Sequence, residues 1–165
     1  MKDIFKEMTL ERDRQELSLS DTLDVKASIL LAVIAVLGTL SGILLTIPKL
    51  GQPMELAQLF AILCLALACL FAVLTVLPRN YLLADKPSSY EEWGDKLREF
   101  YPVEADRDAA IVSGVVREAA KRIAQNHSFN KQKSNLLALS FWPALVALAI
   151  NIVTLTILEL LKVLS

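Results

Sequence analysis

The sequence predicts an all-α integral membrane protein with three transmembrane helices and a small helical cytoplasmic segment. Three apolar runs, residues 27–47, 56–77 and 136–158, contain no Lys, Arg, Asp, Glu or His. They are 21, 22 and 23 residues long, and a helix rising about 1.5 Å per residue crosses a hydrocarbon core of about 30 Å with that length. A core helix of a water-soluble protein would keep a polar stripe, and these runs keep none. The second observation is where the cations fall. Of 17 Lys and Arg residues, 5 lie in residues 1–26 and 10 in residues 78–135, leaving Lys49 and Lys162 elsewhere. Three crossings put the head and the central segment on one side, and short cation-rich loops stay cytoplasmic. The N-terminus is therefore expected inside and the C-terminus outside.

Residues 1–26 form the cytoplasmic head. Lys, Glu, Arg, Leu and Met dominate residues 1–19, without Gly or Pro, which favours a helix. Ile4, Phe5, Met8, Leu10, Leu17 and Leu19 give it a rough apolar stripe. Ser18, Ser20 and Asp21 offer N-cap chemistry just ahead of the first span, and Lys26 is placed to snorkel to the headgroups. Seven acids precede that span, unlike the short basic start of a signal peptide, so the span is expected to remain as an anchor. Pro48 and the Gly51-Gln52-Pro53 cluster turn the chain into the second span, making the two spans antiparallel neighbours. Pro78 and Arg79 mark the return to the cytoplasm.

In the central segment, 78–135, a short helix is expected near residues 90–100, stopped by Pro102. A longer helix should begin near Glu104 and run into the third span, where Pro143 is a potential kink. Val112, Val116, Ala119, Ile123 and His127 recur at three and four residues along it. The first four make a stripe too apolar to face water along its length, a candidate for coupling cytoplasmic events to the spans.

Within the spans, Gly38-Thr39-Leu40-Ser41-Gly42 is a GxxxG, extended by Ala35. Small residues four apart let helix backbones approach closely, either within the subunit or between subunits. Asn151 is a polar side chain at depth that seeks a partner on another helix or lines a wet path. Cys64 and Cys69 both sit in the second span as packing thiols. Arg117, Lys121, Arg122, Lys131 and Lys133 approach the membrane, where anionic headgroups are the expected partner.

No catalytic constellation is present. His127 is the single histidine, and the cysteines lie in the membrane, away from it. The acids Glu91 and Glu92 are adjacent and face different ways, while Asp106 and Asp108 suit a first helical turn. There is no P-loop, GxGxxG, HExxH or CxxC. The chain is read as a non-enzyme without cofactor or metal site, and nucleic acid is not expected as a partner. A secondary transporter would need repeats, broken helices or a carboxylate at depth.

Asp24-Val25-Lys26-Ala27-Ser28-Ile29-Leu30-Leu31 resembles the signature that opens the first span of the transmembrane effectors of Pycsar antiphage systems, with its Asp, its Lys-Ala pair and an aliphatic run. Asn130-Lys131-Gln132-Lys133-Ser134-Asn135 resembles their approach to the last span. The order of head helix, two-span hairpin, helical segment and final span agrees over nearly the whole chain. The resemblance implies antiviral defence, in which a cyclic pyrimidine nucleotide made during infection triggers an effector that compromises the inner membrane. Some members carry a separate cyclic-nucleotide-binding domain, for which this chain has no room. A cyclic nucleotide sensed by the cytoplasmic segment, or a soluble sensor protein, is then the implied trigger. The resulting expectation is a homo-oligomer in the bacterial inner membrane that disrupts it on infection. The alternatives are a membrane scaffold docking a soluble partner, or a small ion channel.

Overall fold

The computed structural model describes residues 2–47, 51–83, 92, 95–98 and 100–164. Three long helices account for most of them: α1 (Lys2–Leu45), α2 (Gln52–Val76) and α3 (Glu104–Leu164). No strand occurs among the described residues. Each helix contains an 18-residue stretch of mean hydropathy 2.3 or more with at most two charged residues, enough to cross a membrane.

Two boundaries differ from the sequence expectation. α1 passes through Ser18, Ser20 and Asp21 without a break, so no N-cap forms there; neighbouring good helix formers on both sides carry the helix on. α2 begins at Gln52, earlier than residue 56, because Gly51 is extended and Pro53 fits the first turn. Glu55 occupies that turn, where the helix dipole favours an acid. The expected helix near residues 90–100 falls largely outside the described residues, although 95–97 are helical. Pro143 is accommodated inside an unbroken α3.

The chain divides into two compact units. One is Met1–Asp21 with Arg79–Lys131; the other is Thr22–Pro78 with Gln132–Ser165. In the second, the spanning unit, contacts fix the topology. Asp24 meets Lys133 and Ser41 meets Asn151, so α1 and α3 run parallel and in step. Gln58 meets Thr154 and the Ala68 carbonyl meets Ser140, so α2 runs against α3. The arrangement is a three-helix, up-down-up bundle.

Its interior is a seam of alternating three- and four-residue spacing, the repeat that keeps neighbouring helices in register along one face. Ala61, Ala68 and Ala72 of α2 and Ala147 of α3 are fully buried, packed with Ile34, Leu37 and Leu65. Small residues dominate because lipid competes equally well for apolar side chains, so close packing and hydrogen bonds must hold the helices together. The large apolar side chains, such as Val36, Leu63 and Trp142, face outward.

The other unit buries a different set. On α1 the inward positions are Asp13, Glu16 and Ser20, and on α3 they are Ala119, Arg122, Asn126 and Asn130. Of the rough stripe read from the head, Met8 and Leu19 are exposed and Leu10 and Leu17 half-buried, while the side chains of Ile4 and Phe5 lie outside the described residues. Ala119 is fully buried, and Val112, Val116 and Ile123 are half-buried.

Candidate functional site

In the spanning unit, Asp24 and Lys133 form an ion pair in which Lys133 Nζ donates to both carboxylate oxygens, at 2.7 and 2.8 Å. Lys133 is 2% exposed, so its ammonium is shielded from water beside this carboxylate. Ala27 lies one turn along α1 from Asp24 and is fully buried. The two sequence signatures, one ahead of each of these spans, therefore meet through Asp24 and Lys133. A charge this well buried is retained only with its partner, since an isolated one would cost several kcal/mol.

Farther along the bundle lies a neutral polar layer. Ser41 Oγ donates to Asn151 Oδ1 at 3.0 Å, and Gln58 Nε2 donates to Thr154 Oγ1 at 2.7 Å. Thr154 in turn donates to the Ile150 carbonyl, and Ser140 to the Ala68 carbonyl at 2.7 Å. Gln58 Oε1 and Asn151 Nδ2 are buried without a partner. Asn151 thus joins helices of one subunit. The small residues Gly38 and Gly42 do not: a methyl group added at either meets nothing within 4 Å. Ala35 is exposed. The four residues grouped by the sequence as a packing set are thus split, with Asn151 inside and the glycine face open.

The other unit holds a denser network. Arg122 Nε and Nη2 both approach Asp13 Oδ2, at 3.2 Å each, which leaves Asp13 Oδ1 buried and unpaired. Asn130 Nδ2 donates to the Glu16 carbonyl at 2.7 Å and to its carboxylate at 2.9 Å, while Tyr81 Oη donates to Asn130 Oδ1 at 2.9 Å. The Tyr81 ring meets Phe129 edge-on at 5.6 Å. Asn126 clamps the backbone of Leu82 from both sides, accepting from its N–H at 3.2 Å and donating to its carbonyl at 3.1 Å. His127 is side-on to this network, with Nδ1 3.1 Å from Glu16 Oε1. On the surface, the hydrogen bond from Lys121 holds the Glu118 carboxyl below its ordinary pKa.

This corrects the headgroup expectation for part of the basic set. Arg122 and Lys133 are buried on acids, and Lys121 pairs with Glu118; Arg117 and Lys131 are exposed. Low-complexity counting of charge misses such pairs, because Asp13, Glu16 and Asp24 look like ordinary surface acids until their faces are known. The spacing of Asp13 and Glu16 with Ser20, Leu23 and Ala27, alternately three and four, is the signal that was available, and Asp24 lies beside it. Gln58 was missed because it sits at the edge of an apolar run. Among the described residues, no group of three or more His, Cys, Asp or Glu side chains could hold a metal ion. Cys64 and Cys69 are half-buried free thiols.

Residues 9–160 match the Pycsar effector protein domain. The chain belongs to that family. The match runs through all three helices, so it covers both signatures and both units. No curated protein and no solved structure matches the chain. Family membership together with three membrane-competent helices makes this a membrane protein of the Pycsar effector type, and points to antiphage defence.

Proposed function

We propose that the chain is a defence effector that self-associates in the bacterial inner membrane and breaches it on infection. The observation that carries this reading is the family match over residues 9–160. Packing supports a multi-subunit breach. The interior of the spanning unit is filled by Ala61, Ala68, Ala72 and Ala147 together with Ile34, Leu37 and Leu65, so one bundle offers no water-filled lumen. Permeation then requires several copies, or a bundle that opens. The open faces of Gly38 and Gly42 leave room for a helix of another copy. Orientation follows the cation count, with the N-terminus inside and the C-terminus outside. No enzymatic step is part of the reading. The trigger is a cyclic nucleotide or a soluble sensor protein.

A second reading, a scaffold for a soluble partner, is favoured by Leu83, Phe100 and Val103, which expose large apolar side chains outside the spans. One experiment separates the two. Wild type and Gly38→Ile/Gly42→Ile are expressed to equal membrane levels, challenged with phage, and followed with a potential-sensitive dye and by crosslinking. Depolarisation in the wild type, lost together with the crosslinked assembly in the variant, supports the effector. No depolarisation in the wild type, with a soluble protein co-purifying, supports the scaffold. Reporters that work only in the cytoplasm should be active after Ser134 and silent after Ser165.

A further inference from the structure

The outer surface of the spanning unit carries a groove of about 600 Å³ between α1 and α3. Ile29 and Val33 line one wall, and Phe141 and Trp142 the other, while Lys26 and Ser134 stand at one end. Because α1 and α3 run parallel and in step, these two polar residues mark the same end. A second hollow shares Ile29 and Val33 and carries the α1 wall on to Leu37. From Lys26 to Leu37 the helix rises about 16 Å, and one leaflet of the hydrocarbon core is about 15 Å deep. The groove itself covers Lys26 to Val33 on α1, about 10 Å, and the adjoining hollow, lined by α1 alone, carries the apolar surface on to mid-bilayer, the depth of one acyl chain.

Charge identifies the headgroup. At this boundary Asp24 and Lys133 neutralise each other. Lys26, two residues on from Asp24, makes no hydrogen bond or ion pair. An unpaired ammonium above an apolar groove whose α1 wall continues to leaflet depth suits a lipid phosphate bearing net negative charge. Ser134, beside the same rim, adds a hydroxyl donor. The open glycine face does not compete for this space. At about 3.6 residues per turn, Gly38 and Gly42 lie roughly on the opposite side of α1 from Lys26, Ile29 and Val33.

We propose that this groove is a binding site for an anionic phospholipid, with one acyl chain between α1 and α3 and the phosphate on Lys26. Trp142, 69% exposed in the groove wall, serves as the probe. The chain has two tryptophans, and Trp93→Phe leaves Trp142 as the sole emitter. The full chain is reconstituted in phosphatidylcholine vesicles containing a small fraction of acyl-brominated phosphatidylglycerol or acyl-brominated phosphatidylcholine, since bromine quenches indole on contact. The brominated anionic lipid should associate about fivefold more strongly at equal mole fraction, the factor one surface cation contributes toward anionic lipid. Lys26→Gln should level the two lipids, and Lys26→Arg should keep the preference. Equal quenching by both lipids in the wild type overturns the proposal. So does a preference that survives Lys26→Gln. Absence of quenching by either lipid would mean that protein, such as a second copy, covers the groove, and overturns it too. The measurement involves neither phage nor depolarisation, so it stands or falls apart from the effector reading.

Discussion

In the spanning unit α3 buries Ser140, Ala144, Ala147, Asn151 and Thr154, whereas in the other unit the same helix buries Ala119, Arg122, Asn126 and Asn130. The spacing of inward positions is alike, and the chemistry is not. Below the Asp24–Lys133 pair, the spanning interior is neutral, made of alanine, leucine and isoleucine side chains, hydroxyls and two amides. Outside the spans, Ala119 is the one buried apolar side chain among the described residues of its unit. Carboxylates, a guanidinium and amides do the joining there. Surrounding medium explains the contrast. In hydrocarbon a helix gains little by hiding Leu from lipid, so interiors are selected for close approach and a few neutral hydrogen bonds. In water an ion pair can be assembled from hydrated groups, and it fixes one arrangement even where its net contribution to stability is small.

The largest expected effect breaks the charged interior. Arg122→Ala leaves Asp13 buried with neither oxygen paired, a loss of about 3–5 kcal/mol. Protease cleavage outside the spans should accelerate sharply in detergent-solubilised protein. The double change Asp13→Leu/Arg122→Leu should recover most of that loss, because an apolar pair carries no desolvation penalty. If the double variant is as labile as the single one, the pair has a role beyond mutual neutralisation.

Asn126→Ala removes the two-sided clamp on Leu82 and leaves a backbone donor and acceptor unpaired. About 1–3 kcal/mol of local stability should go. Amide hydrogen exchange should show it at Leu82, with the slow exchange of residues 58–75 in α2 unchanged. Faster exchange throughout α2 would contradict a local clamp.

Within the membrane the effects should be smaller. Asn151→Leu strands the Ser41 hydroxyl and should cost about 0.6–1.7 kcal/mol, read from unfolding in mixed micelles. Gln58→Leu should be neutral or stabilising. It removes the unpaired Oε1, and Thr154 keeps its own bond to the Ile150 carbonyl. A loss at Gln58 as large as at Asn151 would show that the glutamine does more than bond Thr154. Smallest of all is Gly38→Ala. Its methyl meets nothing within 4 Å, and helix propensity favours alanine by about 1 kcal/mol, so subunit stability should stay level or rise slightly.

Much of this was legible in the chain because the strongest signals are one-dimensional. An uncharged run of 21 residues can satisfy its backbone in lipid only as a helix, and the start of the long helix at Glu104 followed from the Pro102 stop. The Lys-Ala step after Asp24 and the Asn-Lys approach to the last span were enough to suggest the family. Partnerships were a different matter. Asp24 and Lys133 are 109 residues apart, as are Asp13 and Arg122, and nothing local distinguishes them from surface charges. The glycines posed the same difficulty in reverse, since GxxxG states that a close approach is allowed, and not who makes it. By itself, then, the sequence determined that the chain spans a membrane three times as helices, because length and hydropathy are properties of single segments. Which acids and bases meet, which amides stay half-satisfied and which helix faces remain open were decided by tertiary structure alone. Those outcomes depend on the rotation of each helix about its axis, and that rotation is settled by its neighbours.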